Sequence, residues 1–155
     1  MKNKDTTPLW VVPLIIILFP LVVVLCIFWL LYHVALYLLV WTCWLTQGKD
    51  ILFVYSDSPH WHDYIESEIL PRIKDRAVVL NWSERRNWIQ SFSLGAAVFR
   101  YFGGRREFNP LGLYFHPFSR CKTYRFWQPI RDWKKKGNRK ELDELLLRFF
   151  TETKA

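Results

Sequence analysis

From Leu9 to Leu45 the chain carries no Asp, Glu, Lys or Arg, whereas from Asp50 onward apolar and polar positions alternate in short blocks. The first stretch is far longer than the ~18 apolar residues that suggest a membrane span. The second part reads as strands and helices. Ile51 to Tyr55 (ILFVY) is a continuous apolar run of the buried-strand kind. Behind it, Ser58 and Pro59 predict a helix N-cap and first helical position. Trp61, Ile65, Ile69 and Ile73 recur every four residues and make one apolar helix face, which Pro71 must kink or end. Arg76 to Trp82 (RAVVLNW) is a second strand, β-branched at its centre. Ser83 is the expected cap of a second helix with a stripe of Trp88, Phe92, Ala96, Phe99 and Phe102, stopped by Gly103-Gly104. Pro110 opens a third strand, Leu111 to Phe115, and Pro117 to Arg120 turn into a fourth, Lys122 to Trp127. After RDWKKKGNRK, read as a basic linker, Leu142, Leu145, Leu146, Phe149 and Phe150 predict a closing helix.

The order strand, helix, strand, helix, strand, strand, helix predicts an α/β domain over residues 49–155, preceded by a membrane anchor over residues 1–48. Strands joined through helices are expected to be parallel, and the four-residue turn makes the last pair antiparallel. The expected architecture is a four-stranded mixed sheet with helices on both faces.

The anchor has a length problem. A helix over the whole apolar stretch would be about 55 Å long, against a hydrocarbon core of about 30 Å. Either a tilted span ends near Tyr32 and His33, with Trp29, Tyr37, Trp41 and Trp44 as an interfacial aromatic belt, or the chain folds back as a tight hairpin bent near Pro20. The stripe Trp29, His33, Tyr37, Trp41 at i,i+4 spacing reads first as packing. No small-residue cleavage site of the A-x-A kind accompanies the stretch, so it is a permanent anchor and not a signal peptide. Lys2 and Lys4 precede it and only Lys49 closely follows, which places the N-terminus inside. A single span then exports the domain and a hairpin keeps it cytoplasmic. The hairpin, and with it a cytoplasmic-facing domain, is favoured because an unpaired thiol and a basic domain suit the cytoplasm.

Charge and cysteine usage sharpen this. The formal charge is +8, and nearly all charged residues follow Thr46. Cys26 and Cys43 lie in the apolar part and Cys121 alone in the domain, so no disulfide closes within the domain and no zinc spacing is present.

The segment FNPLGLYFHPFSRCKTYRF, with Asn109-Pro110 leading an apolar strand, a turn and a second strand, is similar to the proline-led hairpin of the thioredoxin-like superfamily. NRKELDELLLRFF is similar to that family's last helix. The resemblance covers about Lys49 to Phe150 and implies that Pro110 is cis, shaping the loop that faces the C-terminal end of the first strand. It also shows a departure. The family's Cys-x-x-Cys pair sits where the first strand meets the first helix, and here that junction reads Ser56, Asp57, Ser58, Pro59, His60, Trp61, His62. Without a thiol there, disulfide exchange has no nucleophile at that site.

Two sites remain. Asp57, Ser58, His60 and His62 put polar groups at the natural cleft, where an enzyme acting on a lipid-linked or phosphorylated substrate would work; capping and turn chemistry is the plainer reading. The second is basic: Arg105, Arg106, Arg120, Lys122, Arg125, Arg131, Lys134, Lys135 and Lys136, followed by Arg139 and Lys140. Such clusters attract anionic headgroups near a membrane. Interleaved Tyr124, Trp127 and Trp133 could stack bases, but no recognised nucleic-acid motif is present, and nucleic acid is disfavoured as a partner. No cofactor motif or metal-ligand spacing appears. The expected function is a non-catalytic, membrane-anchored docking or assembly module with a basic headgroup-facing patch, contacting membrane lipids and a membrane-associated protein.

Overall fold

A computed structural model describes residues 11–90, 93–104 and 109–154. It divides into two compact units, residues 1–38 and 39–155.

Within the first unit lies most of α1 (Val11–Cys43), a single helix of 33 residues that continues through Pro20. The favoured hairpin is therefore not formed. Pro20 removes one backbone donor, but its neighbours are uniformly apolar, and in hydrocarbon a helix satisfies its remaining peptide groups internally. Side chains from Leu14 to Leu31 are exposed on every face of the helix. This stretch is apolar all round, and the helix is long and apolar enough to cross a membrane. Trp29 stacks on His33 at 5.7 Å and His33 meets Tyr37 edge-on at 5.0 Å, so this part of the aromatic stripe packs along its own helix.

The second unit begins with the last turn of α1. Val40 is fully buried there, and Trp44 sets its edge against Phe115 at 6.1 Å. Two side chains occupy the carbonyls that the helix end leaves free: Thr46 Oγ1 donates to Thr42 O and Gln47 Nε2 donates to Cys43 O, both at 2.7 Å. A 3-10 turn, Leu45–Gln47, then closes at Gly48, whose φ of 72° is left-handed and suits glycine.

Four strands follow: β1 (Ile51–Tyr55), β2 (Ala77–Asn81), β3 (Leu111–Tyr114) and β4 (Lys122–Arg125). They form one mixed sheet in the order β2-β1-β3-β4. β1 pairs parallel with β2, Ile51 opposite Ala77, as expected. The expectation that β3 also runs parallel fails: β3 is antiparallel to β1, with Leu111 opposite Val54 and Tyr114 opposite Ile51. A helical crossover enforces parallel strands when one helix returns the chain to the starting end. Here the segment after β2 holds two short helices, α4 (Arg85–Gln90) and α5 (Leu94–Phe102), and the chain re-enters the sheet at the C-terminal end of β1. The predicted single helix is thus divided; Phe92 of its stripe lies outside the described residues.

All five residues of β1 are buried, so both faces of the sheet are covered. Ile51, Phe53 and Tyr55 join Ile65, Ile69, Ile73, Leu142 and Phe149 in the main core. At roughly 1.5–3 kcal/mol for each fully buried large apolar side chain, this strand is the main attachment point of the domain. α5 also packs on the sheet, where Gly95 allows close approach to Leu80.

The first helical stretch after β1 has three parts, α2 (His62–Tyr64), a π-helical turn Ile65–Ile69, and α3 (Leu70–Ile73). The wide turn is the local answer to Pro71, which has no N–H to donate and whose ring would press on the carbonyl four residues back. The predicted N-caps are corrected. The helix starts later than Ser58 suggests, and Asn81, not Ser83, caps the turn after β2, its Oδ1 accepting from Ser83 N–H at 2.9 Å. The expected basic linker is also helical: α6 (Trp127–Lys136) buries Ile130 and ends at Gly137, φ 71°. Pro129 fits in its first turn, where no intrahelical donor is lost. α7 (Lys140–Thr153) closes the domain with Leu142, Leu146 and Phe149 inward.

Candidate binding site

The junction after β1 is built by reciprocal ties to the end of β2. Asp57 N–H donates to Ser83 Oγ at 3.0 Å, and Asn81 Nδ2 donates to Asp57 Oδ1 at 2.7 Å. Ser58 O accepts from the backbone N–H groups of Trp61 and His62, which turns the chain into α2. From this turn the two histidines diverge. His62 stacks on Tyr55 at 5.9 Å, its Nδ1 3.7 Å from Asp57 Oδ1 and its Nε2 3.6 Å from Glu66 Oε1. Tyr55 OH donates to the same Glu66 carboxylate at 3.3 Å. Burial, with the Glu66 charge beside it, raises the Tyr55 phenol above its ordinary value. His60 instead is exposed beside Trp61 and α6. Asp57, Ser58, His60 and His62 therefore share a loop but do not converge on one point. Among the described residues, no group of three or more His, Cys, Asp or Glu side chains is arranged to hold a metal ion.

The side facing His60 is a cavity of about 200 Å³ lined by His60, Trp61, Ile130, Arg131, Lys134 and Lys135. Its walls are largely apolar, and three cations stand around it. Trp61 Nε1 is buried and has no hydrogen-bond partner. The cations are held in place: Arg131 lies over the Trp127 ring at 4.5 Å and Lys134 over the Trp133 ring at 4.6 Å. A largely apolar pocket with a cationic rim suits an apolar group that carries a carboxylate or another anion.

The remaining predicted basic residues disperse. Arg120 is exposed on the β3-β4 turn. Lys122 pairs with Glu152, and Arg125 Nη2 donates to Gly103 O at 3.2 Å. Lys136 lies 3.5 Å from Asp132. Arg105 and Arg106 lie outside the described residues. Pro110 follows a cis peptide bond from Asn109 and opens β3, beside the C-terminal end of β1. Trp61 was legible only as an apolar helix position and Ile130 fell between the predicted elements, so their part in the cavity could not be read from spacing. A second concavity, about 590 Å³ between β4, α6 and α7, carries both signs of charge, including Arg125, Glu141, Glu144 and Arg148, and selects no ligand charge.

Cys121 stands on the β3-β4 connection, at the opposite end of β3 from the junction. Burial pushes its thiol up to about 12, so it is protonated and inert near neutral pH. No protein-family model, curated protein or solved structure matches the chain.

Proposed function

We propose that the chain is a membrane-anchored, non-catalytic module with a thioredoxin-like domain, which docks an acidic segment of a membrane-associated protein. The observation that carries this reading is the cavity of Trp61, Ile130 and the α6 cations at the junction where the redox family keeps its thiols. The proline-led β3-β4 hairpin beside β1 in a four-stranded mixed sheet supports the thioredoxin-like assignment.

The chain enters β1 from α1 at Asp50, whereas the cavity lies beyond Tyr55, about 17 Å further along a five-residue strand. We assign the α6 cations to the rim of this docking site. The divergence of His60 from His62 gives a hydrolytic reading no catalytic pair.

One continuous α1, with the excess of lysine ahead of it, supports a domain on the non-cytoplasmic side. A thiol as inert as Cys121 is compatible with an oxidising compartment.

A photo-crosslinking residue at Lys135 in the full-length chain, in cells, tests the docking. The expected product is a discrete protein adduct that disappears when Lys134→Glu and Arg131→Glu are introduced together. Adducts unchanged by that charge reversal, or adducts only to lipid, would remove the assignment.

A further inference from the structure

The turn joining β3 to β4 holds a residue that neither its backbone nor the core calls for. His116 O accepts from Ser119 N–H at 3.2 Å, closing a β-turn with Pro117 and Phe118 at its centre. Phe118 has φ 58°, at the position such turns normally give to Gly or Asn. A bulky side chain is disfavoured in the left-handed region. The ring is also 92% exposed, the most exposed large apolar side chain among the described residues. Local conformation and burial in the domain therefore both argue against Phe, and an external apolar phase is what would favour it.

The neighbour of the ring says which phase. Phe118 meets Trp41 at 5.4 Å between centroids. Trp41 lies at the C-terminal end of α1, the depth at which a helix long and apolar enough to cross a membrane leaves it. Tryptophan at that depth is the usual interfacial anchor. Arg120, exposed two residues on, offers a cation to lipid phosphates. Pro117, also exposed, adds apolar surface with no backbone donor to desolvate.

We propose that the 116–120 turn is a second membrane contact, in which the Phe118 ring inserts among headgroups beside Trp41 while Arg120 meets the phosphates. The anchor and the turn then hold the domain at two points, which restricts its rotation about α1 and leaves the α6 cavity, at the other end of β1, open to a partner. The inference rests on α1 crossing a bilayer, and the test separates the two.

The full-length chain carrying a photo-crosslinking residue at Phe118, Trp29 or Leu147 is reconstituted in vesicles of phosphatidylcholine and phosphatidylglycerol, and lipid adducts are measured by mass spectrometry. Trp29 reports the anchor, and Leu147, 70% exposed on α7, reports adventitious labelling. The expected result is lipid labelling at Phe118 and Trp29, several-fold above Leu147. Labelling at Trp29 without Phe118 overturns the second contact alone; absence at Trp29 overturns the span and the contact with it. Crosslinks from Phe118 to another copy of the chain, in place of lipid, assign the ring to self-association and also overturn it. As a second variant, Phe118→Asn suits the left-handed turn. It is expected to keep or raise the thermal midpoint while lowering lipid labelling from a crosslinker at Ser119 several-fold. A lowered midpoint with unchanged labelling would make the ring a structural element only.

Discussion

Glu152 shows how one side chain ties a helix to a strand. Its carboxylate accepts from Lys122 on β4, from Arg148 Nε at 2.8 Å and from Tyr124 OH at 2.7 Å. Lys122, then Arg148 and Tyr124, hold its pKa down to about 2. The folded value lies below the unfolded one of about 4.3, so the contribution to stability is present above pH ~4.3 and is lost as pH falls towards 2. Thermal midpoints of the wild type and Glu152→Gln measured from neutral pH down to pH ~2 should differ most above pH ~4.3 and converge below it; a constant gap would mean that the carboxylate charge is not what matters. Little of this was legible from spacing, because only i,i+4 pairs such as Arg148 and Glu152 can be read along a helix, while Lys122 and Tyr124 arrive through the β3-β4 pairing. The caps behaved similarly. Ser83 has the right chemistry for a cap, but the chain turns one step earlier at Asn81, and the Ser83 hydroxyl serves Asp57 instead.

At the scale of elements, apolar runs were more informative than charge. β1 matches the apolar run Ile51 to Tyr55, and α7 places Leu142, Leu146 and Phe149 inward as their spacing requires. RDWKKKGNRK was misread because its lysines suggest a solvated linker, whereas Ile130 and Trp133, three apart, already mark a helix face towards the core. Gly112 on β3 is a subtler case. A Cβ there would lie 3.2 Å from the Phe149 ring and 3.4 Å from Phe126, so the missing side chain lets α7 settle on the sheet. Gly112→Val should destabilise the domain by about 1–3 kcal/mol through overpacking, read as a lowered urea midpoint of the detergent-solubilised chain. An unchanged midpoint would show that Phe149 can move aside at no cost.

For the whole molecule, the sharpest difference concerns the anchor. One continuous α1 replaces the expected fold-back, and the non-cytoplasmic side proposed for residues 49–155 rests on the charge rule applied to a single span. Protease added to intact cells should therefore remove an epitope placed after Lys154 without detergent; protection until permeabilisation would put the domain in the cytoplasm. The sequence by itself determined the long apolar N-terminal helix, the four strands and the absence of thiols at the β1 junction, because these depend on local composition and on periods of two and 3.6 residues. Tertiary structure decided the direction of β3, the divergence of His60 from His62, the gathering of Trp61 with the α6 cations, and the contact of Phe118 with Trp41. Each of these joins residues distant in sequence or depends on which way a side chain leaves a turn. Hydrophobic period specifies a face, but it does not carry the pairing partner across the sheet or the rotation of the chain at its corners.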